Sequence, residues 1–406
     1  MHTQRIASRV SKIKPSPSSS AADRANELRR QGRDIISLVV GEPDFDTPFN
    51  IGKAAWEAIQ RGETRYTANS GSQAMRQAIK SKLERENNLY YNENEIVVTN
   101  GAKAAIFTAF LATIEAGDEV VIPAPYWVSY PDMVIACEGT PVIAQCTEAE
   151  GFKLTAERLR SVLTNKTRWL IINSPSNPTG ASYRHDDYVA LAEVLADYPN
   201  VLIMTDDIYE HIRYDNQENV HLLNAAPQLK DQTVLINGVS KTYAMTGWRI
   251  GFAVGPFYLI DAFQKLQSQS AGNACSVSQA AAIEAYNGDQ SFVKTNQAVY
   301  ESRRNETLSK INNIEGLHCS PPDGAFYLYV GCEKLIGMQT EDGTALKTDN
   351  DVVLYLLEAA NVAVVAGSAY GLSPYFRMSI ATSQTLLSDA CERITAALAK
   401  LKQGQV

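Results

Sequence analysis

Through the middle of the chain, short apolar runs rich in β-formers alternate with longer stretches whose apolar residues recur at helical spacing. The first pattern suits strands covered on both faces and the second suits helices that bury one stripe. Their alternation predicts a mainly parallel sheet wrapped by helices. Strands are expected at 95–99, 119–122, 168–172, 201–205, 234–236 and 249–254, with helices at 103–114, 186–196 and 258–268.

Near the start, Lys14-Pro15-Ser16-Pro17-Ser18-Ser19-Ser20 is a Pro/Ser cluster expected to be irregular and to act as a loop or lid, with a helix following at 21–31. Toward the end, 325–330 and 362–365 read as strands, and 351–359 and 386–401 as helices, the mixture of a small α+β domain. A chain of 406 residues exceeds one compact core. The expected division is an arm or lid with part of the small domain at 1–48, a large domain at 49–300 and a small domain at 301–406.

An apolar fraction of 45% with 20% charged residues predicts a folded globular protein. The net charge of -8 argues against nucleic acid or anionic membranes as partners, so anions must be held by a local site. The six cysteines include no CxxC pair, which points to reduced thiols in a cytoplasmic protein, with neither a disulfide framework nor a metal site. No uninterrupted apolar run reaches about 18 residues, and neither a signal peptide nor a membrane span is expected.

Open parallel sheets bind ligands beyond the carboxyl ends of their strands. There Thr99 is followed by Asn100-Gly101-Ala102-Lys103, Ile122 by Pro123-Ala124-Pro125-Tyr126-Trp127, and Ile172 by Asn173-Ser174-Pro175-Ser176-Asn177-Pro178-Thr179-Gly180. Thr205 is followed by Asp206-Asp207-Ile208-Tyr209, and Ile236 by Asn237-Gly238-Val239-Ser240-Lys241. Singly, each has an ordinary structural explanation: a solvated lysine, a capping aspartate, a core tryptophan, a turn. Together they bring an anion-binding helix start, an aromatic plane, an amide, a carboxylate, a phenol and a lysine to one rim.

These blocks, together with Gly41-Glu42-Pro43-Asp44-Phe45-Asp46-Thr47-Pro48, Pro125-Tyr126-Trp127-Val128-Ser129-Tyr130-Pro131, Ser240-Lys241-Thr242-Tyr243-Ala244-Met245-Thr246-Gly247-Trp248-Arg249 and Phe376-Arg377-Met378-Ser379, carry a resemblance over nearly the whole chain. The chain resembles the fold-type I aminotransferases, in particular the prokaryotic branch of aspartate, aromatic and prephenate aminotransferases. The resemblance implies an α/β fold: a mixed, mainly parallel seven-stranded sheet in a large domain that binds pyridoxal 5'-phosphate, with a smaller α+β domain from the N- and C-terminal segments.

It also implies a role for each residue. Lys241 would condense with the cofactor's aldehyde and, once released by the substrate, serve as general base and acid. Asp206, three residues before Tyr209, would keep the pyridine nitrogen protonated, in preference to Asp207. Tyr209 and Asn177 would hydrogen-bond the ring oxygen, and Trp127 would stack on the ring. Gly101, Ala102, Lys103, Ser240 and Arg249, the last eight residues beyond Lys241, would form the phosphate cup, joined by Tyr66 from a neighbouring subunit. Arg377, assisted by Gly41, would take the substrate α-carboxylate. Trp127 and Asn177 would border the substrate as well.

The reaction implied is transfer of an amino group between an amino acid and a 2-oxoacid in a ping-pong cycle on a homodimer with shared sites. Aspartate and glutamate are the leading substrates, with aromatic compounds or prephenate beside them. One departure matters: 267–275, where better-known aspartate aminotransferases carry an arginine for the distal carboxylate, contains none. In this branch a lysine and a hydroxyl take that role, matching Lys103 and Ser18, although Pro17 is an extra feature of this chain. A lyase or synthase on the same scaffold would share Lys241, Asp206 and Arg249. A DNA-binding regulator would need a module in front of the resemblance, and no GxGxxG follows an early strand as a nicotinamide enzyme would require.

Overall fold

A computed structural model of the chain describes residues 5–403. Its strands are β1 (Ile36–Ser37), β2 (Ile96–Thr99), β3 (Glu119–Ala124), β4 (Thr140–Gln145), β5 (Thr167–Asn173), β6 (Leu202–Asp206), β7 (Thr233–Gly238), β8 (Gly251–Val254), β9 (Tyr327–Gly331), β10 (Val362–Ala363), β11 (Val365–Ala366) and β12 (Tyr375–Ser379). The main sheet is seven-stranded, in the order β2-β8-β7-β6-β5-β3-β4. From β7 through β4 all neighbours are parallel, and β8 runs antiparallel to both β2 and β7.

The sheet is covered on both faces, which is why its central strands read as continuous apolar runs. Alternate residues enter different cores: Val98, Leu170, Ile172, Ile203, Leu235 and Phe252 pack into one, and Val97, Trp169, Ile171, Met204, Ile236 and Ala253 into the other. The six strands expected in this sheet lie within two residues of the observed bounds. The seventh, β4, is an edge strand with Pro141 inside it and only Ala144 buried, so neither composition nor apolar run marks it. Helices Phe49–Gln60, Gln73–Asn87, Ser276–Asn287 and Ser291–Asn312 were also not anticipated.

Three local expectations are corrected, two of them here. The Pro/Ser cluster is not irregular throughout, because a helix spans Pro17–Arg30. Pro17 occupies the first helical turn, where a fixed φ suits the helix and a missing N–H costs nothing, and Ser16 stands at the N-cap. The strand expected at 249–254 begins only at Gly251, because Arg249 has a left-handed φ of 55°.

A further core gathers Ile36 and Leu38 with Phe326, Leu328, Val362, Phe376, Met378 and Ile394. It surrounds the antiparallel sheet β11-β12-β9 and the parallel pair β1-β10. The run expected as one strand at 362–365 is thus split, with its halves pairing to different partners. In this sheet Arg377 lies opposite Val365 and Tyr329. Among the described residues no helix is long and apolar enough to cross a membrane.

Candidate active site

At the carboxyl ends of β3, β5, β6 and β7 a cavity of about 310 Å³ opens, lined among others by Lys241, Asp206, Tyr209, Asn177, Arg249 and Arg377. Lys241 follows the end of β7 and donates from Nζ to the Gly41 carbonyl at 2.7 Å. Burial, reinforced by the charges of Arg249 and Arg377, lowers its pKa to about 8 despite Glu42 and Asp206 nearby. A partly desolvated amine of this kind is a ready nucleophile and base near neutral pH.

Asp206 is the last residue of β6 and is buried. Its carboxylate accepts from the Tyr130 hydroxyl at 2.6 Å and from the Ile208 amide at 3.4 Å. Burial and the charge of Asp207 raise its pKa to about 6, against the lowering effect of the Tyr130 hydrogen bond. Asp207 engages a different set, accepting from Thr205 Oγ1 at 3.0 Å and lying 3.2 Å from His221 Nε2. Asp206 lines the cavity and Asp207 does not.

Asn177 is held by its backbone amide, which donates to Asn173 Oδ1 at 2.8 Å, and its side-chain oxygen accepts from Arg377 Nη1 at 2.9 Å. Arg377 also donates to the Val39 carbonyl. Its guanidinium lies 4.4 Å from the Tyr327 ring centre and 5.1 Å from that of Tyr370, while Nε has no hydrogen-bond partner among the described residues. A buried, stacked guanidinium with a donor to spare is suited to a carboxylate. Tyr209 shares a 2.7 Å hydroxyl contact with Tyr327, and burial pushes its phenol well above the ordinary range. A Cβ on Gly41 would come 2.3 Å from the Tyr327 hydroxyl, so the close approach at this point needs glycine.

Trp127 and Lys103 also line the cavity; Trp127 meets Tyr130 edge-on at 5.2 Å, and Lys103 Nζ lies 4.8 Å from the Trp127 ring centre. Desolvation and the Arg249 charge lower the Lys103 pKa. Lys103 stands in the first turn of the helix Ala102–Thr113, where amides have no carbonyl a turn below them. Arg249 donates to the Thr246 carbonyl at 2.8 Å and reaches the Asn100 carbonyl at 3.4 Å. Gly101, with φ of +85°, lies so close beneath it that a Cβ would meet Arg249 Nη2 at 2.2 Å. Ser240, Ala102 and Ser18 line the cavity, and Ser18 Oγ is 3.4 Å from the Tyr370 hydroxyl.

The structure thus brings the expected residues together, with one exception. Tyr66 is 96% exposed and does not line the cavity. Sequence reasoning assigned no role to Tyr130, Tyr327 or Tyr370, which orient Asp206, Tyr209 and Arg377. Tyr130 lay inside a block that carried the resemblance, whereas nothing in the chain marks which face of a strand Tyr327 presents.

Pyridoxal phosphate fits this donor set. The helix start and Arg249 converge as a phosphate requires, and the backbone at Gly101 leaves no room for a side chain between them. Asp206, raised in pKa by burial and holding only neutral donors among the described residues, offers what a protonated ring nitrogen needs. Lys241 supplies the amine.

The comparisons agree with this geometry. Residues 33–394 match the family model described as aminotransferase class I and II. The chain is 50% identical to the "Probable aspartate/prephenate aminotransferase" of Rhizobium leguminosarum bv. phaseoli over 96% of this chain and 97% of that one. It is 49% identical to the aspartate aminotransferase of Rhizobium meliloti (strain 1021), covering 97% and 96%. Among solved structures, it matches the aspartate aminotransferase from Rhizobium meliloti with a TM-score of 0.96 at 49% identity, over 98% of this chain and 99% of that one. It matches the Thermus thermophilus aspartate aminotransferase with maleate at a TM-score of 0.90 and 36% identity, over 97% and 99%. All four are described as aminotransferases, which leaves the lyase or synthase reading without support. The chain belongs to the class I and II aminotransferases, pyridoxal-phosphate enzymes that move an amino group between an amino acid and a 2-oxoacid.

Proposed function

We propose that this chain is a cytoplasmic homodimer that transaminates aspartate or glutamate with their 2-oxoacids and also accepts aromatic or prephenate-type substrates. The observation that carries the acidic preference is the presence in one cavity of Arg377 and Lys103, two cations beyond the proposed cofactor ligands Lys241 and Arg249. A dicarboxylate has two charges to place. The names of the relatives, and the maleate in one solved neighbour, support the same reading.

When bound, pyridoxal phosphate supplies an electron sink for the bonds at the substrate Cα. The Lys241 amine binds it and moves the proton at the substrate Cα. Asp206 holds the proton on the ring nitrogen, and Tyr209 and Asn177 orient the ring oxygen. Trp127 fixes the ring plane, while the first amides of the helix at Ala102, the Ser240 hydroxyl and Arg249 bind the phosphate. Arg377, with the Gly41 amide, orients the α-carboxylate. A division at 1–48, 49–300 and 301–406 would put Lys241 and Asp206 in the large domain and Gly41 and Arg377 in the other two segments, so that the site is completed between them.

Lys103 and Ser18 are proposed to receive the distal carboxylate. Lysine is a point charge without the planar fork of arginine, so it holds a carboxylate less strictly and leaves space for aromatic side chains. Lys103→Ala keeps the backbone amide of the phosphate cup. It should lower kcat/KM for aspartate relative to phenylalanine or tyrosine by roughly 1 to 3 kcal/mol. Product identification with a panel of amino acids and 2-oxoacids checks both the reaction and the ratio, and equal losses for the two classes would remove Lys103 as the determinant.

Tyr66 is proposed to reach the phosphate of the partner subunit's site. Its near-complete exposure, like that of Phe49 at 86% and Trp56 at 59% on the helix Phe49–Gln60, leaves large apolar side chains uncovered that a second copy of this chain would bury. In a mixed dimer of Lys241→Ala and Tyr66→Ala chains, one site carries both lesions and the other is intact. Random exchange should restore about one quarter of wild-type activity. Absence of recovery after verified exchange would count against a shared site.

A further inference from the structure

Beneath the segment that carries Lys241 lies a cluster of buried charges that the proposed chemistry does not use. Lys82, 1% exposed, donates to the Asn87 side chain at 2.7 Å and to the Glu210 carboxylate, with Glu86 3.6 Å away. Glu210 is also buried and accepts from Asn87 Nδ2 at 2.8 Å and from Asn237 Nδ2 at 2.6 Å. Lys82 and the neighbouring His211 hold its carboxyl far below the usual range despite its burial. His211 completes the cluster, with Nε2 3.0 Å from Glu86 and Nδ1 3.2 Å from Thr242 Oγ1 and 3.7 Å from Glu210. Arg85 caps Glu86 from the more exposed side.

Two of these contacts bracket Lys241. Asn237, the next-to-last residue of β7, precedes it by four positions, and Thr242 follows it directly. Tyr209, which lines the cavity, directly precedes Glu210 and His211 in the chain. A buried ionic cluster is a poor source of net stability, since well-packed apolar residues of similar volume often do as well or better. Its hydrogen bonds are directional, however, and they fix positions that apolar contacts would leave free to slide.

We propose that His211, held by Glu86 and Glu210, is a positioning residue, which anchors Thr242 beside Lys241 and thereby aims the Lys241 amine into the cavity. The inference rests on the reading of Lys241 as the cofactor's lysine. No contact between the cluster and the substrate is involved. An amine displaced by a fraction of an ångström should therefore turn over more slowly and titrate differently while substrate binding is kept.

The test uses Thr242→Val, which keeps the volume and deletes the hydroxyl, with Thr242→Ser as the conservative rescue and His211→Ala as the other half of a double-mutant cycle. Each cofactor-loaded protein is titrated by its visible absorbance against pH, and kcat and KM for aspartate are measured separately. Thr242→Val should lower kcat about tenfold, with KM changed less than about twofold, and should move the absorbance midpoint. Thr242→Ser should restore both, and the double variant should be no worse than His211→Ala alone.

A folded, cofactor-loaded Thr242→Val protein with wild-type midpoint and kcat would overturn the proposal. So would an equal loss in Thr242→Ser, or losses at 211 and 242 that multiply. If His211→Ala fails to fold, the valine and serine variants decide the question alone. Borohydride reduction of the wild type separates this inference from the one beneath it. Cofactor found on another lysine sinks the Lys241 reading, whereas cofactor on Lys241 with an unaffected Thr242→Val sinks only the positioning role.

Discussion

Replacing Lys241 by alanine is expected to lower transamination by roughly 10⁴-fold or more, because one substitution would remove both the group proposed to bind the cofactor covalently and the base proposed to move the Cα proton. The loss should fall on kcat and leave the fold intact. Among the described residues Nζ has one hydrogen bond, to the Gly41 carbonyl, and it sits where its charge is disfavoured. The sign of that effect can be followed with pH. The folded-state pKa of about 8 is below the ordinary 10.5, so below pH 8 the amine is charged in folded and unfolded chains alike and the cost of burying it is fully present. Between pH 8 and 10.5 the folded state binds fewer protons, and the cost fades as pH rises. Without cofactor, the alanine variant should melt no lower than wild type at pH 7, and any advantage should shrink above pH 8. Steady-state kinetics and melting curves across that range check both parts.

Asp206→Ala is the second variant expected to be crippled, by about 3 kcal/mol or more in activation free energy, the scale seen when a preorganised charge partner of the reacting system is removed. Asp207→Ala is its control. The two carboxylates are adjacent in sequence but have separate partners: Asp206, which lines the cavity, is fixed by Tyr130, and Asp207, which does not, by Thr205 and His221. The control should therefore lose stability and retain most of its kcat. A crippled Asp207 variant beside an active Asp206 variant would show that the ring nitrogen is held by the other acid.

The parts of this site legible in the sequence were those fixed by strand ends. β5, β6 and β7 are apolar because both of their faces are covered, so their carboxyl ends, and with them Asn177, Asp206 and Lys241, could be placed without coordinates. The edge strand β4 has no such signature, since it is mostly half-buried and interrupted by Pro141. The helix at Pro17 was hidden because the residues that break a helix interior also start one. The left-handed turn at Arg249 was hidden for another reason: it is imposed by where the guanidinium must lie, against Gly101 and the helix start. The preference for Asp206 over Asp207 came from the resemblance, whose pattern sets the acid three residues before a tyrosine; in the structure the two carboxylates have separate hydrogen-bond partners. Tyr130, Tyr327, Glu210 and His211 were not singled out because their importance comes from what they touch across the fold.

Every role proposed for this site depends on the attachment of pyridoxal phosphate to one lysine. Borohydride reduction of the cofactor-loaded protein, followed by proteolysis and mass mapping, measures it without reference to turnover. The predicted result is a single modified peptide bearing the reduced cofactor on Lys241, absent from the Lys241→Ala protein. Reduced cofactor on Lys103 or any other lysine of the wild type, or the same yield from the alanine variant, would contradict the assignment on which the rest of the site is built.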